Sequence, residues 1–234
     1  MDAVAAVICA AGSSSRMGGV KKEYQKPDNH GGFTVLGLAV SAFAKVPSIE
    51  VIAIAVNKNG EAAARAAIPP GYLSAQKPKL VFVTGGASRR ASVFNALSLL
   101  ADYNPRYVLI HDGARPWVSP SLIAQIIEEV KKHGAAVPLL PLTDTPKECD
   151  APFMEPQSGA EVFIKTHLKR ANTGIAQTPQ GFKFPEIFEA HKKAAHESGE
   201  FTDDAEIWGK YCGNVAVVQG SPENRKITFP QDLE

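Results

Sequence analysis

A run of small residues followed by cations is the first feature of the chain that could do chemistry. Ala10–Gly18 comes directly after an apolar segment and is followed by Lys21 and Lys22. Small residues let a backbone wrap closely around phosphate groups, and cations supply the charge that a triphosphate requires. The segment is not a Walker A loop, since no Gly-Lys-Ser/Thr follows, and it is not a GxGxxG turn, since Ser14 replaces the second glycine. Alone, it is equally typical of an ordinary turn with exposed lysines.

Two later segments carry the same kind of chemistry. Gly85–Val93 combines two glycines with Arg89 and Ser92, and His111–Pro116 places a carboxylate beside a guanidinium. Both follow predicted strands, whose carboxyl ends meet at one edge of a parallel sheet. A glycine turn with a solvated charge explains any one of these motifs, but three at successive strand ends indicate one anion-binding site. We expect His111 to be buried and hydrogen-bonded at its strand end rather than catalytic.

The composition favours one globular domain spanning residues 1–234. Hydrophobic residues make up 44% of the 234 residues and the formal net charge is +1, so nothing draws the whole chain to nucleic acid or to a membrane. No apolar run approaches the ~20 residues of a membrane span, and the apolar N-terminus lacks the basic residues of a targeting signal. Three widely spaced cysteines (Cys9, Cys149 and Cys212) suggest neither a zinc site nor disulfides. We therefore expect a cytoplasmic protein.

Strands alternate with helices along most of the chain. The predicted strands are Val4–Ala10, Val51–Val56, Leu80–Val83, Tyr107–His111, Ala135–Leu140 and Val215–Gln219. The predicted helices are Thr34–Lys45, Glu61–Ile68, Ala91–Leu100, Pro120–Lys132, Pro185–His196 and Asp203–Tyr211. This alternation predicts the α/β class, with a Rossmann-like, doubly wound, mostly parallel sheet and helices on both faces.

Residues 141–171 interrupt this alternation. The segment holds four prolines, many polar residues and one alternating stretch, Glu161–Thr166. We interpret it as an extended β-arm that protrudes from the single domain. Because a hairpin with apolar members such as Val162, Ile164 and Leu168 is marginal alone in water, we expect the arm to cross to a second subunit and form a homodimer.

Four further motifs extend the series of candidate site segments. They are Asp144-Thr145-x-Lys147, Thr178-Pro179-Gln180, Thr202-Asp203-Asp204 and Asn224-x-Lys226-Ile227-Thr228. With Ala10–Gly18 and its Lys22-x-Tyr24 extension, Gly85–Val93 and His111–Pro116, they make seven motifs in order over nearly the whole chain. The set resembles the 2-C-methyl-D-erythritol 4-phosphate cytidylyltransferases, enzymes of the non-mevalonate isoprenoid pathway with a fold of the nucleotide-diphospho-sugar transferase type.

The resemblance implies a role for each motif. The residues that would line the CTP pocket are Ala10, Ala11, Gly12, Ser13, Gly86, Arg89, Ser92 and Gly113. The cations that would stabilise the reacting phosphates are Arg16, Lys22 and Lys226, where Lys22 is favoured over Lys21 because it begins the Lys-x-Tyr element. The residues that would hold the methylerythritol phosphate are Asp112, Arg115, Thr145, Arg170, Thr202 and Lys226. Mg²⁺ would bridge the CTP phosphates, with Asp112 as the one candidate protein ligand.

The implied reaction accounts for a site rich in cations and without an evident Ser-His-Asp or Cys-His set. The acceptor is a phosphate monoester with a second pKa of ~6, so it is mostly a dianion at neutral pH. It can attack the α-phosphorus of CTP without a general base. Because both reactants are anionic, alignment and well-placed cations should carry the catalysis.

The chain departs from the family pattern in two places. Ser14 replaces a frequent glycine, so we expect a backbone conformation there that suits a residue with a Cβ. The arm between Thr145 and Arg170 is longer than in the family, so Arg170 is assigned by its spacing from the Thr-Pro-Gln motif. Lys165 and Lys169 are the alternatives for its role.

Three other functions stay open on the sequence. A ribitol 5-phosphate cytidylyltransferase would share the fold, the CTP site and the chemistry. A nicotinamide-binding oxidoreductase would need GxGxxG after the first strand, which is absent. A non-catalytic nucleotide-sensing module is disfavoured because Arg16, Lys22 and Lys226 are all present.

Overall fold

The computed structural model of the chain describes residues 3–28, 31–152 and 161–234. Its strands are β1 Val4–Cys9, β2 Ile49–Val56, β3 Lys79–Thr84, β4 Tyr107–Asp112, β5 Ala135–Pro141, β6 Lys147–Cys149, β7 Ile164–His167, β8 Gly174–Ala176, β9 Gln180–Lys183 and β10 Ala216–Gln219. Its α-helices are α1 Val35–Ala44, α2 Glu61–Ala66, α3 Pro70–Leu73, α4 Arg89–Leu100, α5 Pro120–His133, α6 Phe184–Ala194 and α7 Asp204–Tyr211. Single 3-10 turns cover Ser15–Met17, Lys22–Tyr24, Ala101–Tyr103, Arg170–Asn172 and Pro230–Leu233.

The main sheet has the order β10-β5-β9-β4-β1-β2-β3, and β8 adds to β5. The pairs β1–β2, β1–β4, β2–β3 and β5–β10 are parallel, whereas β9 runs antiparallel to both β4 and β5. The predicted fold class, a mostly parallel doubly wound sheet, is therefore confirmed. The sequence analysis missed β8 and β9, because they are short and contain Gly174 and Gly181, residues with weak strand preference.

Helices cover both faces of the sheet and bury its central strands. Every residue of β1 except Cys9 is fully enclosed, which explains the unbroken apolar run that predicted this strand. On one face, α1 and α5 contribute residues such as Leu36, Phe43 and Ile126. On the other, α4, α6 and α7 contribute residues such as Leu97, Ile187 and Trp208. Two packed layers thus hold the sheet rigidly enough to fix the loops at its edge.

Threonine and serine side chains cap the N-termini of three helices. The hydroxyls of Thr34, Ser88 and Ser119 each accept a hydrogen bond from a backbone N–H in the first turn of α1, α4 and α5. The segment Pro69-Pro70-Gly71 follows the end of α2, and a new helical turn, α3, starts at Pro70. Proline is tolerated there because the first turn of a helix leaves its N–H groups unbonded.

The predicted β-arm contains a two-stranded antiparallel sheet. β6 pairs with β7, and Lys165 lies 3.2 Å from Glu148 across the pair. Phe163 and Ile164 are 60% and 53% exposed. The predicted arm thus contains this pair of strands, and its residues 153–160 lie outside the described residues. The single-domain assignment of residues 1–234 and the use of the arm in dimerisation stay predictions.

None of the helices described, in residues 3–28, 31–152 and 161–234, has the length and apolar character needed to cross a membrane.

We predict that Gly181→Ala destabilises the fold, because a Cβ at this position would lie 2.6 Å from Val130, 2.7 Å from Ile126 and 2.9 Å from Leu109. Overpacking of this kind costs about 1–3 kcal/mol. Denaturant unfolding followed by circular dichroism measures the change in the free energy of unfolding.

The matched control is Gly209→Ala within α7, where a Cβ would meet nothing within 4 Å. Alanine at this exposed position of α7 should stabilise the helix by about 0.5–1 kcal/mol. Equal effects of the two substitutions would contradict the proposed packing of β9 against α5.

Candidate active site

A cavity of about 410 Å³ opens at the carboxyl ends of β1, β2, β3 and β4. The register of the parallel strands brings these ends together, since Cys9 of β1 pairs with both Ala55 and Asp112. The lining residues are Cys9, Ala11, Gly12, Ser13, Ser14, Lys22, Glu23, Asn57, Gly86, Ala87, Ser88, Arg89, Ser92, Asp112, Ala114 and Lys226. Nine of these were predicted site residues: Ala11, Gly12, Ser13, Lys22, Gly86, Arg89, Ser92, Asp112 and Lys226. The three motifs chosen from the sequence therefore converge on one cavity.

The first loop has a left-handed backbone at Ser14, with φ 53° and ψ 36°. The expectation that this position suits a residue with a Cβ is wrong, because a left-handed conformation favours glycine and strains other L-residues. Gly18 and Gly19 also have positive φ, at 63° and 83°. The loop therefore turns sharply twice before the Lys-x-Tyr element.

The two neighbouring lysines have different roles. Lys21 turns away from the cavity and donates hydrogen bonds to the carbonyls of Ala10 and Gly12, at 2.9 and 2.5 Å. Lys22 lines the cavity. Burial lowers the pKa of Lys22, and nearby Glu23 opposes this shift by favouring the charged form. The placement agrees with the choice of Lys22 over Lys21 as the cation that faces a ligand.

The Gly85-Gly86 loop packs tightly against the first loop. A Cβ on Gly85 would lie 2.4 Å from the Cβ of Ala11, so only glycine permits this approach. The N–H of Gly86 donates to the hydroxyl of Ser92 at 3.1 Å, and that hydroxyl donates to the carbonyl of Ser88 at 2.9 Å. Ser92 thus fixes the loop to the first turn of α4.

Asp112 is the centre of a cluster of charges on the cavity floor. Its carboxylate lies 2.9 Å from the Lys226 ammonium and 3.5 Å from both the Arg89 and the Arg115 guanidinium. Burial opposes ionisation of Asp112, but the cations, Lys226 first, hold its pKa well below the usual range. One carboxylate therefore fixes three cations that reach it from three separate segments of the chain.

Arg89 is held from a second side. Its guanidinium lies 2.8 Å from Asp204, a carboxylate whose side chain is only 1% exposed. The other oxygen of Asp204 lies 3.1 Å from Nε2 of His191. Burial disfavours the charged form of Asp204, and Arg89 overcomes this and lowers its pKa. Arg89, predicted as a CTP ligand, therefore lines the cavity while it is ion-paired with Asp112 and Asp204.

His111 forms hydrogen bonds that fix the backbone on either side of Asp112. Its Nε2 bonds the carbonyl of Arg115 at 3.0 Å and its Nδ1 bonds the hydroxyl of Thr178 at 3.0 Å. The same hydroxyl accepts the N–H of Asp112 at 3.1 Å. Because the carbonyl can only accept, Nε2 carries the proton of the neutral ring. Burial lowers the pKa of His111 to about 4, and the predicted buried, hydrogen-bonded role is confirmed.

Several predicted site residues lie outside the cavity lining. Ala10, at the start of the first loop, is fully buried. Gly113 donates its N–H to the carbonyl of Cys9 at 2.9 Å and so lies against the end of β1. Arg115 is buried behind Asp112 and donates to the carbonyl of Asn224 at 2.8 Å.

The remaining predicted residues are exposed. Arg16 lies on the outer part of the first loop, with its guanidinium 5.9 Å from the centre of the Phe229 ring. Thr202 bonds Glu206 at the start of α7. Thr145 and Arg170 lie on the arm. In the described part of the chain, these four residues do not line the cavity.

Four polar residues that line the cavity were not predicted as site residues: Ser14, Glu23, Asn57 and Ser88. Glu23 is the variable residue of the Lys-x-Tyr element, and Ser88 caps α4. Asn57 directly follows β2, so its place at the carboxyl end of a parallel strand was a usable signal. Its side-chain oxygen is buried without a hydrogen-bond partner.

The cavity residues could not bind a divalent cation on their own, but they are compatible with one that is coordinated mainly by a bound nucleotide. Within residues 3–28, 31–152 and 161–234, no group of three or more His, Cys, Asp or Glu side chains could hold a metal. Both oxygens of Asp112, the candidate ligand, already face cations. Phosphate oxygens of a bound nucleotide would have to supply most of the ligands that Mg²⁺ needs.

Protonation of His111 should weaken the fold as the pH falls. Because the folded pKa of His111 is about 4 and the unfolded pKa is about 6.5, the free energy of unfolding should drop between these pH values by up to roughly 3 kcal/mol. Urea unfolding of the wild type and of His111→Gln at several pH values isolates this contribution. Gln has no titrating group, so its curve should be flatter between pH 6.5 and 4. Parallel curves would contradict the assignment.

The chain is similar to proteins of a known family over nearly its whole length. A sequence model of the family described as 2-C-methyl-D-erythritol 4-phosphate cytidylyltransferase (IspD) matches residues 4–234. A bifunctional IspD/IspF enzyme from Bradyrhizobium sp. (strain ORS 278) is 41% identical over 232 residues, covering 98% of this chain and 54% of that protein. One from Brucella anthropi is 34% identical with 99% and 54% coverage. The chain thus spans about half the length of these relatives.

Two solved structures of similar length share the fold. The 2-C-methyl-D-erythritol 4-phosphate cytidylyltransferase of Thermus thermophilus is 34% identical, with a TM-score of 0.69 and coverage of 99% of this chain and 95% of that one. The 4-diphosphocytidyl-2C-methyl-D-erythritol synthase of Anaerococcus prevotii is 25% identical, with a TM-score of 0.81 and coverage of 99% and 93%. The resemblance inferred from the seven motifs is confirmed, and the chain belongs to the 2-C-methyl-D-erythritol 4-phosphate cytidylyltransferase family, whose members are nucleotidyltransferases.

Proposed function

We propose that the protein transfers the cytidylyl group of CTP to 2-C-methyl-D-erythritol 4-phosphate, giving 4-diphosphocytidyl-2-C-methyl-D-erythritol and pyrophosphate in isoprenoid precursor biosynthesis. The observation that carries the proposal is the convergence of Lys22, Lys226 and Arg89 on one cavity whose walls are two loops of small residues. Such loops suit a phosphate chain, and a cavity of about 410 Å³ lies within the size range of small-ligand sites.

CTP would occupy the cavity between the first loop and the Gly85-Gly86 loop. The cations lie toward Asp112, and the neutral residues Ala11, Gly86 and Ser92 lie where β1 and β3 end. We assign the triphosphate to the charged part and the cytidine to the neutral part. This orientation keeps the base away from the cations and places the α-phosphate near Lys22 and Lys226.

The transfer step needs no general base. A phosphate oxygen of the acceptor forms a bond to the α-phosphorus of CTP, and the bond from this phosphorus to the bridging oxygen breaks, releasing pyrophosphate. Lys22 and Lys226 would stabilise the charge on the pentacoordinate phosphorus. Arg16 lies outside the cavity lining, so its proposed role requires the exposed part of the first loop to move toward the phosphates.

The acceptor site would combine residues of the cavity with residues of the arm. Asp112 and Lys226 line the cavity, and Arg115 supports Asp112 from behind. Thr145 and Arg170 would come from the arm of a second subunit in a homodimer, and Thr202 would approach from the segment before α7. The exposed apolar residues of the arm, Phe163 at 60% and Ile164 at 53%, support the use of this hairpin as an interface.

Mg²⁺ completes the proposed site. It would be held by the phosphates of CTP, where it neutralises charge and helps orient the leaving group. Asp112 would be its one protein ligand, and to bind the metal its carboxylate would have to release one of the cations that it now contacts. A cytoplasmic location stays a prediction from the sequence.

The alternatives are less well supported. Family membership gives no support to a nicotinamide-dependent oxidoreductase. A purely nucleotide-sensing module does not account for the retained Lys22 and Lys226. Ribitol 5-phosphate as the acceptor would use the same fold and chemistry, but the relatives described above are named for methylerythritol phosphate.

The acceptor is tested by pyrophosphate release from CTP and Mg²⁺ with 2-C-methyl-D-erythritol 4-phosphate and D-ribitol 5-phosphate in parallel. We expect kcat/KM to favour the first by at least about a hundredfold, since a site built to hydrogen-bond its substrate rejects poor matches by large factors. Preference for ribitol 5-phosphate would keep the chemistry and overturn the acceptor. Release with neither compound would overturn the proposed activity.

A further inference from the structure

The first loop, residues 10–20, has few contacts of its own that could fix its shape. Its internal hydrogen bonds are short-range turns, such as Met17 N–H to the Ser14 carbonyl at 2.9 Å and Gly19 N–H to the same carbonyl at 3.3 Å. Ser14 must also hold a left-handed backbone, with φ 53°, which is unfavourable for a residue with a Cβ. The conformation that lines the cavity therefore needs support from outside the loop.

Lys21 supplies one part of that support. Its ammonium donates to the carbonyls of Ala10 and Gly12, and the side chain is 18% exposed. These two carbonyls would otherwise lie without a donor beside a cavity that receives phosphates. By binding them, Lys21 ties the start of the loop to its end and neutralises oxygens that would repel an anion.

Glu23 connects Lys21 to the strained residue. Its carboxylate is almost fully buried, accepts the Ser14 hydroxyl at 3.4 Å and lies 3.8 Å from the Lys21 ammonium. The Ser14 hydroxyl in turn faces the N–H of Lys22 at 3.5 Å. A carboxylate in the wall of a phosphate site is unfavourable unless it is paired, so its pairing with Lys21 and Ser14 indicates a structural task.

We propose that Ser14, Lys21 and Glu23 form a first-loop brace that holds the loop in its nucleotide-receiving conformation, with Lys21 and Glu23 as positioning residues. The proposal rests on the proposed function, because the nucleotide is taken to be CTP. It assigns to Lys21 a task distinct from that of its neighbour Lys22, which faces the ligand.

A brace acts before binding, so its loss should reduce the fraction of protein whose loop is ready for the nucleotide. Lys21→Met keeps the length of the side chain and removes its charge. We expect KM and the Kd for CTP to rise about tenfold, while kcat changes by less than about twofold. The reason is that a smaller population of the nucleotide-receiving loop conformation weakens the apparent affinity and leaves the bound complex unchanged. Lys22→Ala, which removes a proposed catalytic cation, should instead lower kcat by about a hundredfold.

Two further variants separate bracing from simple charge. Lys26→Met removes the same charge from an exposed position outside the cavity lining and should leave KM within about twofold of wild type. Because Lys21 and Glu23 belong to one brace, the losses of CTP affinity in Lys21→Met and Glu23→Gln should not add in Lys21→Met/Glu23→Gln. If the two effects add, Lys21 acts through its charge and the brace is wrong.

Hydrogen exchange provides a readout that does not depend on turnover. Without CTP, the amides of Met17–Val20, which are bonded inside the loop, should exchange about tenfold faster in Lys21→Met and in Glu23→Gln than in wild type. Unchanged exchange in both variants would overturn the brace even if CTP affinity fell. If wild-type protein does not bind CTP, the proposed function fails, and the exchange rates alone still decide whether the brace exists.

Discussion

The attraction between the Asp112 carboxylate and three cations is the interaction on which the rest of the site depends. Lys226, Arg89 and Arg115 would repel one another at these distances if no anion stood between them. With Asp112 ionised, they lie 2.9 to 3.5 Å from a single carboxylate. The cavity floor thus keeps a net positive charge in a fixed arrangement, as phosphate chemistry requires.

The fold supplies a separate support for three of the four members of this cluster, namely Asp112, Arg115 and Arg89. The hydroxyl of Thr178 holds the backbone of Asp112, and His111 secures Thr178. Arg115 is fixed by the Asn224 carbonyl, and Arg89 by Asp204. These supports come from β4, from the segment before β9, from α7 and from the region after β10. The antiparallel insertion of β9 beside β4 is therefore what brings Thr178 beneath the active edge.

Much of this arrangement could be predicted from the sequence, and the exceptions have physical causes. Buried parallel strands such as β1 are unbroken apolar runs, and capped helices such as α5 carry Ser, Pro and Gly at defined positions. Strand β9 has only four residues, and its pairing is set by tertiary contacts. Glu23 lines the cavity through backbone geometry that no local pattern encodes, whereas the position of Asn57 directly after β2 was a usable signal. The left-handed turn at Ser14 likewise appears only in three dimensions.

A double-mutant cycle between Asp112 and Lys226 tests the central claim most directly. The free energy of unfolding would be measured for wild type, Asp112→Asn, Lys226→Met and the double variant. Lys226 is 38% exposed, so solvent weakens the pair, and we expect a coupling of about 1 kcal/mol, with the double variant less destabilised than the sum of the single ones. Costs that add to within about 0.3 kcal/mol would contradict the claim, because independent residues behave in that way.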